Sequence, residues 1–546
     1  MARVRSRSAL HPPRAVVLRR LIALVRVGVA VGVAVVGVEA VSGAIVASAQ
    51  PADLNRAASP GAVRTVPALS HAYAVTLARD LAHLDVEACL DPGTPLLQRR
   101  LRVEFDLRRH ASAPQFVGSG PPRVVPWPEE FLRLPDDVDC VRYRVDLARA
   151  VLDGTGMRRP AVRLGRDLKT TVDLWLLRPP LAGGQHIDIR FTLPEGVAMS
   201  APWPRIAGRN RYRIPATPEG SWGAVVAFGR FTPRPILLAD GARLELVVLD
   251  GKPAPDEAML ARWIGEVAEQ VRGVHGRFPT RELQVLLVPM LGNGLRSPLA
   301  PGAAPPPWYA RMPEAVGFGR ILRDGGNAAE LQVVQGASLA ALRADWTATH
   351  EFSHLLLPYL SEPGGWISEG FADYYQNLLM ARSGHYSEAD GWRRLLSGFE
   401  RGRGDGDFPE TLREALTRGG ENQLMRRYWT GAVVALRVDV ELRRHGDSLD
   451  ALLGRFAACC LPSARAWTTE ELFARLDTLA GRRVFTGIHD RWLDVRDYPA
   501  YDGVARQLGV VGDGRAVRFD DRAPLVGIRR AIMARRPGAA TPAQGH

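Results

Sequence analysis

His350-Glu351-Phe352-Ser353-His354 sets two imidazoles four residues apart with a carboxylate beside the first. On a helix, four residues turn the chain almost once round, so both rings project from one face, about 6 Å apart along the axis. Imidazoles so placed can grip one zinc ion, and Glu351 points its carboxylate toward the ion's open coordination position. A catalytic zinc takes a third protein ligand. After Pro358 and Pro363-Gly364-Gly365, the run Trp366-Ile367-Ser368-Glu369-Gly370-Phe371-Ala372-Asp373-Tyr374-Tyr375 reads as a second helix capped by Ser368, whose Glu369 can reach back to the metal. Asp373, one turn further on the same face, is placed to accept the free ring N–H of a zinc-bound histidine. Taken singly, a histidine is more often a packed core residue, and carboxylates at a helix start are favoured by its dipole alone. The joint order of two His, Glu and then Asp one turn later carries the chemistry.

These residues need a frame. The first motif lies in a helical pattern that starts near residue 339 and that Pro358 must end. Upstream, Asp256 can cap a helix through Met259, Leu260, Trp263, Ile264, Val267 and Val271, apolar positions spaced by three and four, which ends near Gly276. A buried strand at 283–288 follows, then an irregular Gly- and Pro-rich stretch at 292–307 of the kind that borders binding clefts. Two strands at 315–322 and 331–334 flank the turn Asp324-Gly325-Gly326-Asn327, and from 341 to about 495 the pattern is helix separated by short loops. Residues 70–250 instead show short alternating segments, among them 101–107 and 187–193, as in an antiparallel sandwich, and hold no catalytic constellation.

The 546 residues, 46% hydrophobic and 24% charged, exclude fibrous and disordered classes and suffice for more than one core. A net charge of +13 invites a nucleic-acid reading. Yet only Lys169 and Lys252 are lysines, the arginines are dispersed and no recognition module is present, so nucleic acid is not an expected partner. Arg3, Arg5, Arg7, Arg14, Arg19, Arg20 and Arg26 precede an uncharged apolar run at 27–38, and a small-residue stretch ends in Ala47-Ser48-Ala49. This is the layout of a secretory signal, either cleaved after Ala49 or kept as an anchor. Either outcome puts the body of the protein in the periplasm or outside the cell, with membrane contact through that segment alone. Cys89 and Cys140 could pair in such a compartment, whereas Cys459 and Cys460, adjacent in sequence, read equally well as buried apolar residues.

The elements H-E-F-x-H, W-x-S-E-G-F-x-x-Y-Y and Tyr428-Trp429-Thr430-Gly431, followed by Ser448-Leu449-Asp450, resemble the glycyl-aminopeptidase family of gluzincin zinc metallopeptidases. His275-Gly276-Arg277-Phe278-Pro279 is similar to the segment that ends a helix before the first strand of that family's catalytic domain. The resemblance covers about 255–500. It implies that His350, His354 and Glu369 are zinc ligands, that Glu351 is the general base, and that the Tyr428 hydroxyl stabilises the oxyanion. Three departures stand out. Where the family carries Gly-Gly-Leu-Glu-His, whose glutamate binds the substrate's free amino terminus, this chain has Val316-Gly317-Phe318-Gly319-Arg320, and Arg320 suits a carboxylate or an internal peptide segment better. Thr430 replaces the usual lysine, and too few residues follow 502 for the peptide-binding PDZ module common in the family.

The expected protein is α+β. A signal peptide or anchor occupies 1–49 and a linker 50–69; an N-terminal antiparallel β-sandwich-like domain spans 70–250. A thermolysin-like gluzincin catalytic domain, a small sheet plus a mostly helical C-terminal part, spans 253–500, and an extension with a disordered tail fills 501–546. The expected activity is zinc-dependent hydrolysis of a peptide or protein substrate, aminopeptidase-like, with one Zn2+ per chain. An endopeptidase, a peptide-binding protein that keeps the zinc helices as a scaffold, and a hydrolase of a non-peptide amide or ester stay open as alternatives.

Overall fold

The computed structural model describes residues 69–154, 159–217, 223–251, 255–290, 315–405, 409–418 and 423–534. The signal at 1–49, the linker apart from Leu69, the stretch at 292–307 and the tail at 537–546 lie outside them. Alternation in Ser70–Leu77, His83–Cys89 and Val138–Asp146 gives each strand one apolar face, and these strands form the middle of a seven-stranded sheet. Its pairings are antiparallel except that of Ser70–Leu77 with His186–Thr192, which is parallel. A four-stranded sheet, with Asp167–Thr171 and Val225–Gly229 at its centre, shares one core with it through Val75, Val86, Trp175, Ile189 and Phe228. Two sheets on one core make the expected sandwich. The alternating run at 101–107 is not one strand, because pairing stops at Arg102 and a short helix, Phe105–His110, takes over. Cys89 and Cys140 face each other in register and are disulfide-bonded. Cys459 and Cys460 are also joined to each other, and neither is buried, which corrects their reading as core residues.

The sheet that positions the site has the order Arg234–Leu237, Arg243–Val248, Glu282–Met290, Asn327–Val334, Val316–Arg323. Its three inner strands run parallel and are apolar on both faces, since helices cover one side and the sandwich the other. The domain boundary expected at 250–253 therefore falls inside this sheet: two of its strands precede residue 253, and the helix Glu257–His275 is the crossover between Arg243–Val248 and Glu282–Met290. That helix starts as expected, with the Asp256 side chain accepting from Met259 N–H, and ends at Gly276, whose φ is 76°.

Two contacts tie the sandwich to the edge strand Val316–Arg323 and its neighbour. Asp324, buried in the turn between them, accepts from Arg178, from the N–H of Ala224 and, through its carbonyl, from the Trp203 indole. Glu330, 1% exposed, faces Arg320 across the pair and also takes Lys169 from the sandwich.

Three helices carry the candidate site. The HExxH helix is Thr347–Ser353, separated at Asp345 and Trp346 from a short helix Leu339–Ala344, and it tightens into a 3-10 turn at His354–Leu356. The glutamate helix is Gly365–Arg382, and the tyrosine helix is Leu424–Arg444. The last two cross at Gly370 and Gly431, where a Cβ built on Gly370 would lie 2.3 Å from Gly431 Cα and one built on Gly431 would lie 2.3 Å from the Trp366 carbonyl oxygen. Any side chain there would force the helices apart. The segment set apart after 500 belongs to this helical core: Tyr501, Leu508, Ile532 and Met533 are buried in it, and Arg382 donates to the Ile532 carbonyl at 2.8 Å.

Replacing Gly431 by valine is expected to lower stability by about 1–3 kcal/mol through overpacking. It should also leave less than one zinc per chain, because Glu369 sits beside the crossing. Denaturant unfolding and metal analysis check this, and unchanged values in both would refute the role given to the contact.

Candidate metal centre

The HExxH helix puts His350 and His354 on one face, with ring centroids 4.9 Å apart and ring planes at 88°. The glutamate helix brings Glu369 across from them: its Oε2 lies 3.3 Å from His350 Nε2 and 3.7 Å from His354 Nε2. All three donor atoms fall within 4.8 Å of one another. Donors bound tetrahedrally to zinc stand roughly 3.4 Å apart, so this set fits one such ion. The other group of this kind among the described residues, Glu87 with Cys89 and Cys140, has its sulfurs joined in the disulfide and is no match for a metal.

The far nitrogen of each imidazole is held, which leaves the Nε2 atoms for a metal. His350 Nδ1 donates to Gln376 Oε1 at 2.8 Å and stands 3.5 Å from Asp373 Oδ1; His354 Nδ1 pairs with Ser368 Oγ at 3.0 Å. Asp373 thus lies where the spacing predicts, but the shorter bond is that of Gln376, which the sequence reading missed. Residues 369, 373 and 376 follow the i, i+4, i+7 rhythm of one helix face, and that rhythm could have found it. The expected cap role of Ser368 is wrong, because the helix already begins at Gly365 and the hydroxyl of Ser368, inside its first turns, serves His354 instead.

The buried charges are strongly coupled. Burial opposes a charge on His350, but the bond to Glu369 and the carboxylates of Asp373 and Glu351 outweigh it and raise its pKa to about 10. Burial, and then the neighbouring His350, take His354 down to about 4. A cation entering here must displace the proton on His350, as metal binding to histidine generally does. Glu351 is pushed up to about 7 by burial against the pull of His350, and Asp373 likewise to about 7. Asp373 Oδ2 is buried with no hydrogen-bond partner.

Glu351 has its position fixed from the sheet side. A Cβ on Gly319 of the edge strand would lie 2.5 Å from Glu351 Cγ, so only glycine lets strand and carboxylate sit this close. Tyr428 enters from the tyrosine helix as its fifth residue, half-buried, and donates to Glu369; burial and then Glu369 hold its phenol far above the usual range. Two residues earlier, the buried Arg426 donates to the carbonyls of Glu410 and Arg496 and to Gln423, which fixes the turn that carries Tyr428. His350, Glu351, His354, Glu369 and Tyr428 all line one cavity of about 600 Å3, with Asp373 behind the three donors. Arg320 lines the same cavity, but its guanidinium is held at 2.8 Å by Glu330.

No family model matches the chain, and no curated protein matches it. Among solved structures, the aminopeptidase N family protein from Idiomarina loihiensis superposes with a TM-score of 0.59 at 14% sequence identity, over 81% of this chain and 78% of that one. The chain carries an aminopeptidase N-like fold. The M1 zinc metallopeptidase from Deinococcus radiodurans also matches, with a TM-score of 0.46 at 15% identity, over 79% of this chain and 94% of that one.

Exchanging Gln376 for leucine keeps the ligands but removes the acceptor on His350. Zinc affinity, read by competition with a chromophoric chelator, is expected to fall about 10- to 100-fold, as for other partners of metal-bound histidines. His354→Gln should abolish stoichiometric zinc altogether. A Gln376→Leu protein that holds zinc as tightly as the parent would show that Asp373 alone orients the ring.

Proposed function

We propose that this protein is a zinc-dependent peptide hydrolase with aminopeptidase-like architecture. The observation that carries the reading is the convergence in one cavity of a two-histidine, one-glutamate donor set, a second carboxylate outside that set, and a phenol from a third helix. His350, His354 and Glu369 would hold the zinc, which when bound supplies Lewis acidity to a substrate carbonyl.

The remaining chemistry belongs to side chains. Glu351, with its pKa raised to about 7, can accept a proton from the attacking water and return it to the leaving nitrogen, since a carboxyl poised near neutrality serves in both directions. Tyr428 stays protonated throughout the working pH range, so its O–H is a donor for the oxyanion of the tetrahedral intermediate. That donor must leave Glu369 for the substrate, and its position on a helix anchored by Arg426 keeps it within the same cavity.

Export is part of the proposal. The Arg-rich start, the apolar run and Ala47-Ser48-Ala49 support it, and so does the Cys89–Cys140 bond, which persists in an oxidising compartment. The reading as an endopeptidase is favoured by one observation: Glu330, the carboxylate opposite Arg320, is buried beneath the strand in ion pairs with Arg320 and Lys169 and cannot meet a substrate's amino terminus.

Glu351→Gln is expected to retain one zinc per chain while turnover of a mixed peptide library drops about 1,000-fold. Tyr428→Phe should lower kcat about 100-fold with little change in KM, the pattern of a donor used only in the transition state. Mass-spectrometric mapping of cut positions separates stepwise N-terminal removal from internal cleavage. Undiminished turnover by the Glu351→Gln protein would end the assignment.

A further inference from the structure

The metal cavity does not end at the far end of the edge strand. Arg323, the strand's last residue, and Tyr359 line it, and the same two residues line a second cavity of about 530 Å3. That cavity is walled by prolines of the sandwich, Pro202, Pro204 and Pro215, and by the loop from Leu461 to Ala464. Its surface is mostly apolar, and Arg323 stands at the junction. From Gly319, beside Glu351, to Arg323 is four residues of strand, roughly 13 Å, which is the length of about four residues of an extended peptide.

Arg323 is unusual for this chain. Five arginines that lie deep between its elements have carboxylates: Arg178 has Asp324, Arg320 has Glu330, Arg382 has Asp450, Arg443 has Asp439 and Arg529 has Glu388; Arg426 instead spends its guanidinium on two carbonyls and Gln423. Arg323 donates to the carbonyl of His354 and forms no ion pair with any described residue, Glu362 on the same cavity wall included. A guanidinium offers five donors in a planar fork that matches a carboxylate. Set at the junction of two cavities without a counter-ion, it is complementary to a negative group brought in by the substrate.

We propose that the protein takes extended peptides that run from the metal centre past Tyr359 into the second cavity, with a carboxylate of the peptide, about four residues from the scissile bond, seated on Arg323. The carboxylate is that of an acidic side chain or of the C-terminus. The proposal rests on the peptide-hydrolase reading above, and it adds the length and the charge of the substrate.

Binding without turnover tests it. Full-length, zinc-loaded Glu351→Gln protein is titrated with eight-residue peptides in which one glutamate is moved through each position, with matched glutamine peptides, and with free or amidated C-termini. Some placement of the carboxylate is expected to tighten Kd about tenfold over its glutamine or amide counterpart, the scale of a charge-assisted hydrogen bond. A gain that follows the glutamate identifies a side chain; one that follows the free end identifies the terminus. The gain should disappear in Arg323→Gln and persist in Arg323→Lys. In Ala464→Trp, which fills the second cavity from its loop, the advantage of long over short peptides should vanish. Equal binding of all acidic and neutral peptides overturns the proposal, as does a preference that survives Arg323→Gln. The peptide comparison on the unaltered Arg323 protein stands even if that substitution disturbs His354. Should the parent enzyme cleave none of these peptides, the hydrolase reading fails separately, because the Kd series is read without hydrolysis.

Discussion

Two long helices meet with no side chain between them, and the site follows from that approach. Gly370 and Gly431 bring the backbone of the glutamate helix against that of the tyrosine helix. Glu369 is the residue next to one glycine, and Tyr428 lies almost one turn before the other. A candidate metal ligand and a phenol from helices separated by some forty residues of chain can share one cavity only if the helix axes come this close. A third glycine, Gly398, makes room for the Trp429 ring in the same core, where Trp366 and Phe371 are also buried.

Charge is distributed by the same logic. Several polar groups buried for structure are satisfied: Tyr374 donates to Asp439, Tyr375 to Asp450, and Asp477 accepts from the N–H groups at the start of the helix Phe485–Leu493, while others, such as the Trp175 and Trp392 indoles, have no hydrogen-bond partner. Around the candidate metal ligands the unsatisfied groups are charged ones. Asp373 keeps one oxygen without a partner, Glu351 is crowded toward neutrality, and His350 is charged against its burial. A cluster of half-neutralised groups in a cavity is costly to stability, and it is the arrangement a divalent cation relieves.

The sequence made some of this plain and hid the rest for identifiable reasons. The histidine pair and Glu369 were legible because ligand chemistry demands particular residue types at helical spacing. The strands flanking Asp324 and the helix capped by Asp256 were legible from period and caps. What escaped depends on pairing between distant segments. Arg234–Leu237 and Arg243–Val248 look like sandwich strands by alternation, and only the pairing of the first with the second, and of the second with Glu282–Met290, assigns them to the sheet that positions the candidate site. Ser368 looked like a cap because serine before an acidic residue usually is one, and the third element that claimed its hydroxyl, His354, lies in another helix. Gly319 and Arg426 carried no signal of their own, since a glycine that makes room and an arginine that holds carbonyls have no local pattern. The segment after 500 reads as an extension because nothing local in it shows which core it joins, and only its contacts with distant helices place Ile532 and Met533 in the helical core.

The Lys169–Glu330–Arg320 cluster joins the sandwich to the strand pair at the cavity, and it carries an evolutionary consequence. Lys169 is one of two lysines in a chain that otherwise uses arginine for positive charge. Loss of the carboxylate at 330 alone would strand both Lys169 and Arg320 in the interior, whereas loss of the lysine at 169 would leave Glu330 paired with Arg320, so the acid is the member of the cluster least free to change. Recombination that brought in a relative's strand pair without an acid at 330 would leave Lys169 unpaired in the interior of the hybrid.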